Sequence, residues 1–164
     1  MKFERIERLQ PHTHGKRFST FLYVDNAHDH GDAVYVGSED GKVGVYWLMA
    51  NSSKISNFRE VDLPKEESAH HNAQVNCMLH SRDEKLAPPT TYGLLFTGAS
   101  DRLVKVWDSA GNHVQNLPHS GPVLRLADAQ DGSILSISID GYLRVWAPQA
   151  GRSMMLNPYF ECVT

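Results

Sequence analysis

With 164 residues the chain is long enough to bury a substantial core, since single domains commonly run to about 100–150 residues. Hydrophobic residues at 41% and charged residues at 21% exclude the profile of a disordered chain. The 16 Lys and Arg against 19 Asp and Glu leave a net charge of -3, so the sequence lacks the overall basic field that draws phosphate backbones, and no nucleic-acid partner is expected.

The opening residues alternate charged and apolar side chains, without the apolar run of a signal peptide, and no stretch approaches the roughly 20 apolar residues of a membrane helix. The expectation is a soluble, intracellular, cytoplasmic protein with no membrane partner. Cys77 and Cys162 are far apart, so neither a disulfide framework nor a zinc site is indicated and reduced thiols are expected. Asn51-Ser52-Ser53 fits a glycosylation acceptor, which an intracellular chain would not use.

In chain order, Phe3 to Leu9 alternates like a strand. A strand is expected from Phe18, four residues beyond His14, and His28-Asp29-His30 reads as a polar loop before the next strand. That strand leads into Asp40, and a further one ends at Tyr46. Met49 to Lys54 and Pro64 to Ala69 lengthen the connections around a strand expected over Ile55 to Asp62. The pattern then returns. His71 precedes a strand starting at Val75, Ser81 to Tyr92 forms a long connection expected on the surface, and the next strand runs into Asp101. A strand ending at Trp107 follows, and then one over Asn112 to Leu117. A third pass takes His119, a strand from Val123, the run into Asp140, the strand ending at Trp146, and a strand over Ser153 to Asn157 in which Met154-Met155 is packing.

The three passes share a template: Asp40, Asp101 and Asp140 each stand six residues before an aromatic, Tyr46, Trp107 and Trp146. Asp beside Gly or a small polar residue between two alternating runs is a hairpin turn signal. Asp101 to Asp140 is 39 residues, whereas Asp40 to Asp101 is 61, so the second interval carries insertions. Lys105 and Arg144 fall at positions expected to point outward into solvent.

Thr97-Gly98-Ala99-Ser100-Asp101 followed by Val104-Lys105-Val106-Trp107-Asp108 resembles the WD-repeat family of β-propellers, and the shared register extends the resemblance over nearly the whole chain. It implies an all-β fold of about three four-stranded antiparallel blades plus an N-terminal strand, in a ring that this chain alone does not close. The units are then 1–13 (strand d of a neighbouring blade), 14–64, 65–118 and 119–158 (blades), and 159–164 (a tail). The resemblance also implies a hydrogen-bonded tetrad in each blade: His71, Thr97, Asp101 and Trp107 in the second, His119, Ser136, Asp140 and Trp146 in the third. In the first, Val36 and Tyr46 stand where the hydroxyl and indole belong, so the network of His14 and Asp40 is broken. Buried Asp, His, hydroxyl and indole groups can satisfy one another without water.

A propeller needs about four to eight blades to close, so an arc of three leaves an apolar face at either end. Missing blades are expected from a longer protein of which this is a fragment, from another chain, or from oligomerisation. The function implied is a non-catalytic scaffold or adaptor that binds proteins, including whatever supplies those blades, without cofactor or metal. Contacts are expected at Glu39, Lys42, Arg102 and Tyr142, in turns that the resemblance places on one rim, and at the insertion 65–70.

A His-Asp-Ser set could instead be a hydrolase triad, but an active site is built once and these residues recur with each unit. His28 and His30 would share a strand face, as a metal-dependent propeller enzyme would need, although the spacing supplies no third or fourth ligand. The remaining alternative is a structural subunit built permanently into a large assembly, such as a ciliary axoneme or a ribonucleoprotein particle.

Overall fold

The computed structural model describes residues 17–28, 31–48, 59–60, 70–87, 92–149 and 156–163. They form twelve strands: β1 (Phe18–His28), β2 (Gly31–Ser38), β3 (Val43–Leu48), β4 (Arg59–Glu60), β5 (Val75–Ser81), β6 (Leu94–Ala99), β7 (Leu103–Trp107), β8 (His113–Pro118), β9 (Val123–Asp128), β10 (Ile134–Ser138), β11 (Tyr142–Pro148) and β12 (Leu156–Val163). Three antiparallel sheets result, ordered β1-β2-β3-β4, β5-β6-β7-β8 and β9-β10-β11-β12, each a meander of sequential neighbours. These are the blades, hereafter one to three, and the four strands of each are a to d.

Turn chemistry sets the b-to-c hairpins. The residue after each turn Asp has positive φ: Gly41 at 88°, Arg102 at 70° and Gly141 at 81°. Glycine adopts this conformation freely, whereas Arg102 holds it against its own Cβ. A bond also recurs just before the turn: the N–H groups of Glu39, Ser100 and Ile139 donate to the carbonyls of Arg17, Gln74 and Pro122 at 3.0, 2.9 and 2.9 Å. The head of strand a and the b-to-c turn therefore share one rim in all three blades.

Apolar residues lie between sheets, not under one of them. Tyr35, Val43 and Val45 of blade one meet Val75, Leu95 and Trp107 of blade two. Phe96, Val104 and Val106 of blade two meet Val123, Ile134 and Trp146 of blade three. Because strand side chains alternate, blade two buries one set of residues against each neighbour.

Several expectations are corrected. The segment 159–164 is not a tail, because β12 stays paired with β11 through Val163. Pro158 ends the strand on paper, yet it sits at a bulge on an outermost strand, where a missing N–H is tolerated. The connection 81–92 is not wholly at the surface: Leu86 and Ala87 are buried in the core between blades two and three. An Asx turn aims them there, with the Lys85 N–H donating to Asp83 Oδ1 at 2.8 Å and the Leu86 N–H to the Asp83 carbonyl at 2.9 Å. Lys105 and Arg144 do not point into solvent, being only 3% and 5% exposed. They share the sheet face of Trp107 and Trp146, and in a stack both faces of an inner sheet are covered, so alternation no longer separates inside from outside.

Of the strand expected over Ile55 to Asp62, Arg59 and Glu60 pair with Val45 and Gly44, and the remainder lies outside the described residues. So do Phe3 to Leu9, His14, Met49 to Lys54, the insertion 65–69 and Met154-Met155.

Candidate functional site

In blade two the expected four residues come together in a directed chain. Trp107 Nε1–H donates to Thr97 Oγ1 at 2.9 Å, which leaves the threonine's own proton for His71 Nε2 at 2.8 Å. His71 Nδ1–H then donates to Asp101 Oδ2 at 2.8 Å. Asp101 accepts two more bonds, from the N–H groups of Asn72 and Leu103, each at 3.1 Å. One carboxylate thus joins the loop entering strand a to the turn leaving strand b. Burial works against its charge, but the His71 bond and the two backbone donors outweigh it and lower its pKa.

Blade three reaches a similar end differently. Trp146 Nε1–H donates to Ser136 Oγ at 2.8 Å, and His119 Nε2 lies 2.7 Å from the same hydroxyl. His119 Nδ1, however, lies 3.1 Å from the Leu117 carbonyl. Asp140 is held by Arg144, whose Nη2 approaches Oδ2 at 2.9 Å and whose Nη1 approaches Oδ1 at 3.1 Å. The Ser138 hydroxyl and the N–H groups of Ser120 and Tyr142 complete its partners. The Arg144 bond holds the Asp140 carboxyl well below the usual carboxylate range, against the pull of burial. Arg144 also lies 5.2 Å from the centre of the Tyr142 ring.

Blade one has Val36 and Tyr46 at the corresponding places, both buried. There the turn is tied by Ser38, whose hydroxyl donates to Asp40 Oδ1 at 2.5 Å and accepts the Lys42 N–H at 3.1 Å. Sequence reasoning missed this serine role, although Ser-x-Asp-Gly in both the first and third turns carried the signal. It also missed Arg144, because alternation assigns that position to solvent.

The rim candidates lie in the b-to-c turns: Glu39 and Arg102 are exposed, Lys42 and Tyr142 half-buried. Of 65–70 only His70 is described, half-buried at the same rim. Asp29, His30 and the His28 side chain lie outside the described residues. Among the described residues no three His, Cys, Asp or Glu side chains cluster as a metal site requires, and no helix is long and apolar enough to cross a membrane. Burial pushes the Cys77 thiol up to about 11, which makes it a poor nucleophile.

This repeated His, hydroxyl, Asp and Trp arrangement coincides with a family match: the description "WD domain, G-beta repeat" fits residues 64–108 and 111–147, half of the chain. The chain belongs to the WD-repeat family. WD-repeat structures share its fold. The crystal structure of the RRP9 WD40 repeats matches with a TM-score of 0.63 at 19% identity, over 92% of this chain and 40% of that one. The structure of U3-55K gives the same values. The computationally designed Ika4 protein matches with a TM-score of 0.55 at 22% identity, over 80% of this chain and 66% of that one. The chain therefore spans about 40% of the length of the first two. No curated protein matches it. WD repeats are in general protein-interaction scaffolds, and the propeller fold is generally non-catalytic.

Proposed function

We propose that this WD-repeat chain is a non-catalytic scaffold that holds partner proteins on the rim formed by its b-to-c turns and strand-a entry loops. The observation that carries this reading is that each chemically suggestive residue of blade two is already consumed internally. Thr97 and His71 are buried, and the threonine oxygen is saturated by Trp107 and His71, so no hydroxyl is left to attack a substrate. Accessible on that rim are Glu39, Arg102 and Ile139, with Tyr142 half-buried beside them, a mixed charged, apolar and aromatic surface of the kind that contacts proteins. A net charge of -3 supports protein over nucleic-acid partners, and an intracellular setting is part of the proposal.

The test is site-specific photo-crosslinking from positions 39, 102 and 142 in cell extract, with Glu39→Ala, Arg102→Ala and Tyr142→Ala measured alongside. Adducts to discrete proteins that these variants lose without a change in melting support the reading. Adducts to nucleic acid alone, or none from any of the three positions, would overturn it.

A further inference from the structure

Both seams between blades are built to one plan. At the first, Gly37 of β2 lies under Val75, the leading residue of the next blade's strand a, and a methyl on Gly37 would meet Val75 Cβ and Cγ1 at 2.7 Å. At the second, Gly98 of β6 lies under Val123, where a methyl would meet Cγ1 at 2.6 Å. A polar side chain then clasps the seated residue's carbonyl: Ser19 Oγ donates to Val75 O at 2.5 Å, and Asn76 Nδ2 to Val123 O at 2.8 Å. The next blade's entry loop also covers the preceding turn, the His119 N–H reaching the Arg102 carbonyl at 2.9 Å.

The same three positions on blade three, which face away from blade two, break the plan. Ile137 replaces the glycine, and Leu124, 38% exposed, replaces Ser19 and Asn76. Ile139, 65% exposed, stands where the other turns have Glu39 and Ser100, and the space about a Cβ at Gly141 is open. Arg125 occupies the place of Thr20 and Cys77 opposite the strand-b residue, with its Nη1 on the neighbouring Leu124 carbonyl. Otherwise the face continues the seam stripe: Leu135, Leu143 and Val145 correspond to Phe96, Val104 and Val106, which blade three covers on blade two.

We propose that this face of blade three receives a β-blade different in sequence from any in this chain, with a glycine seated over Ile137 and an acidic side chain opposite Arg125. Since the stripe matches that of an occupied seam, a blade is the shape that fits it. A methyl already collides with the Cβ of Val75 and with Cγ1 of Val75 and Val123, so an isoleucine excludes a side chain there and the partner must supply a glycine. A second copy of this chain would bring Phe18 to the same spot, a larger side chain still, which excludes ring closure by self-association in this geometry. Covering Arg125 with an apolar partner would bury an uncompensated charge, so the partner supplies an acid. This inference rests on the scaffold reading and names a partner surface for it.

The probe is the full chain extended after Thr164 by a flexible linker and a second copy of residues 65–118. The appended copy is made with its Val75 kept or as Val75→Gly, in each case with Met78→Asp, which lies on the Val75 face of its strand and so on the side turned toward Arg125. Amide hydrogen exchange at Leu135, Leu143 and Val145, referenced to the unextended chain, reads docking directly. The Gly form should slow exchange about tenfold or more, the Val form should leave it unchanged, and Ile137→Gly should restore protection by the Val form. Equal protection by both forms would overturn the proposal, as would protection by neither form in the Ile137→Gly background. A sedimentation dimer of the unextended chain that Ile137→Asp dissociates would assign the face to a second copy instead. None of these readouts involves the rim, so failure here and failure of rim crosslinking are separable.

Discussion

Asp101 accepts three hydrogen bonds and joins the entry loop of strand a to the b-to-c turn, so its loss orphans several groups at once. Asp101→Ala should destabilise the protein by about 1–3 kcal/mol, read as a lower denaturant midpoint, because the buried His71 loses its acceptor. The role of Asp101 was legible from its six-residue spacing to Trp107; that of Arg144 was not, because periodicity cannot report that a second sheet lies on what would otherwise be the solvent face. Arg102 holds a left-handed conformation at φ 70°, where the other two turns have glycine. Arg102→Gly should therefore raise stability by about 0.5–1 kcal/mol, and an unchanged or lower melting temperature would show that the arginine's contacts outweigh its strain. His80 gives a pH dependence. Burial, aided by the Arg82 guanidinium, lowers its pKa to about 4. The unfolded chain then takes up a proton near 6.5 that the folded chain refuses until about 4, so stability is full above 6.5 and declines as pH falls through that window. Urea midpoints measured from pH 7 to 4.5 should show the decline, and His80→Gln should flatten it.

Among the elements, the b and c strands read most clearly from sequence, since an Asp turn joins each pair and an aromatic six residues beyond it marks the end of strand c. The d strands read poorly. They lie at the outer edge of each sheet, where pairing on one side tolerates Pro158, and a polar side chain helps join β8 to β12, the Gln115 amide bonding both the Leu156 carbonyl and N–H at 2.8 and 2.9 Å. Likewise, composition marks 81–92 as surface while Leu86 is buried, because the cluster it joins includes Val123, Ile134 and Trp146 of the next blade, which are remote in sequence.

At the scale of the whole molecule, the resemblance of one repeat supplied the fold, and the register of the others supplied the number of blades. What it could not supply was the chemistry of the ends. Phe21 and Tyr23, 74% and 52% exposed, lie on the outer face of blade one, and Leu124 and Ile139 lie on that of blade three, so the stack has two dissimilar faces and a rim between them. Its integrity depends on blades seated on one another through glycine and valine. A double-mutant cycle on Gly98 and Val123, followed by chemical denaturation, tests that seating most directly. Gly98→Ala should cost about 1–3 kcal/mol in the native background and less once Val123→Ala has removed the Cγ1 contact at 2.6 Å, a coupling of about 1 kcal/mol, while the Cys77 Sγ contact at 2.7 Å persists in both backgrounds. Strictly additive effects would mean that the two residues do not meet and that the blades do not stack in this register.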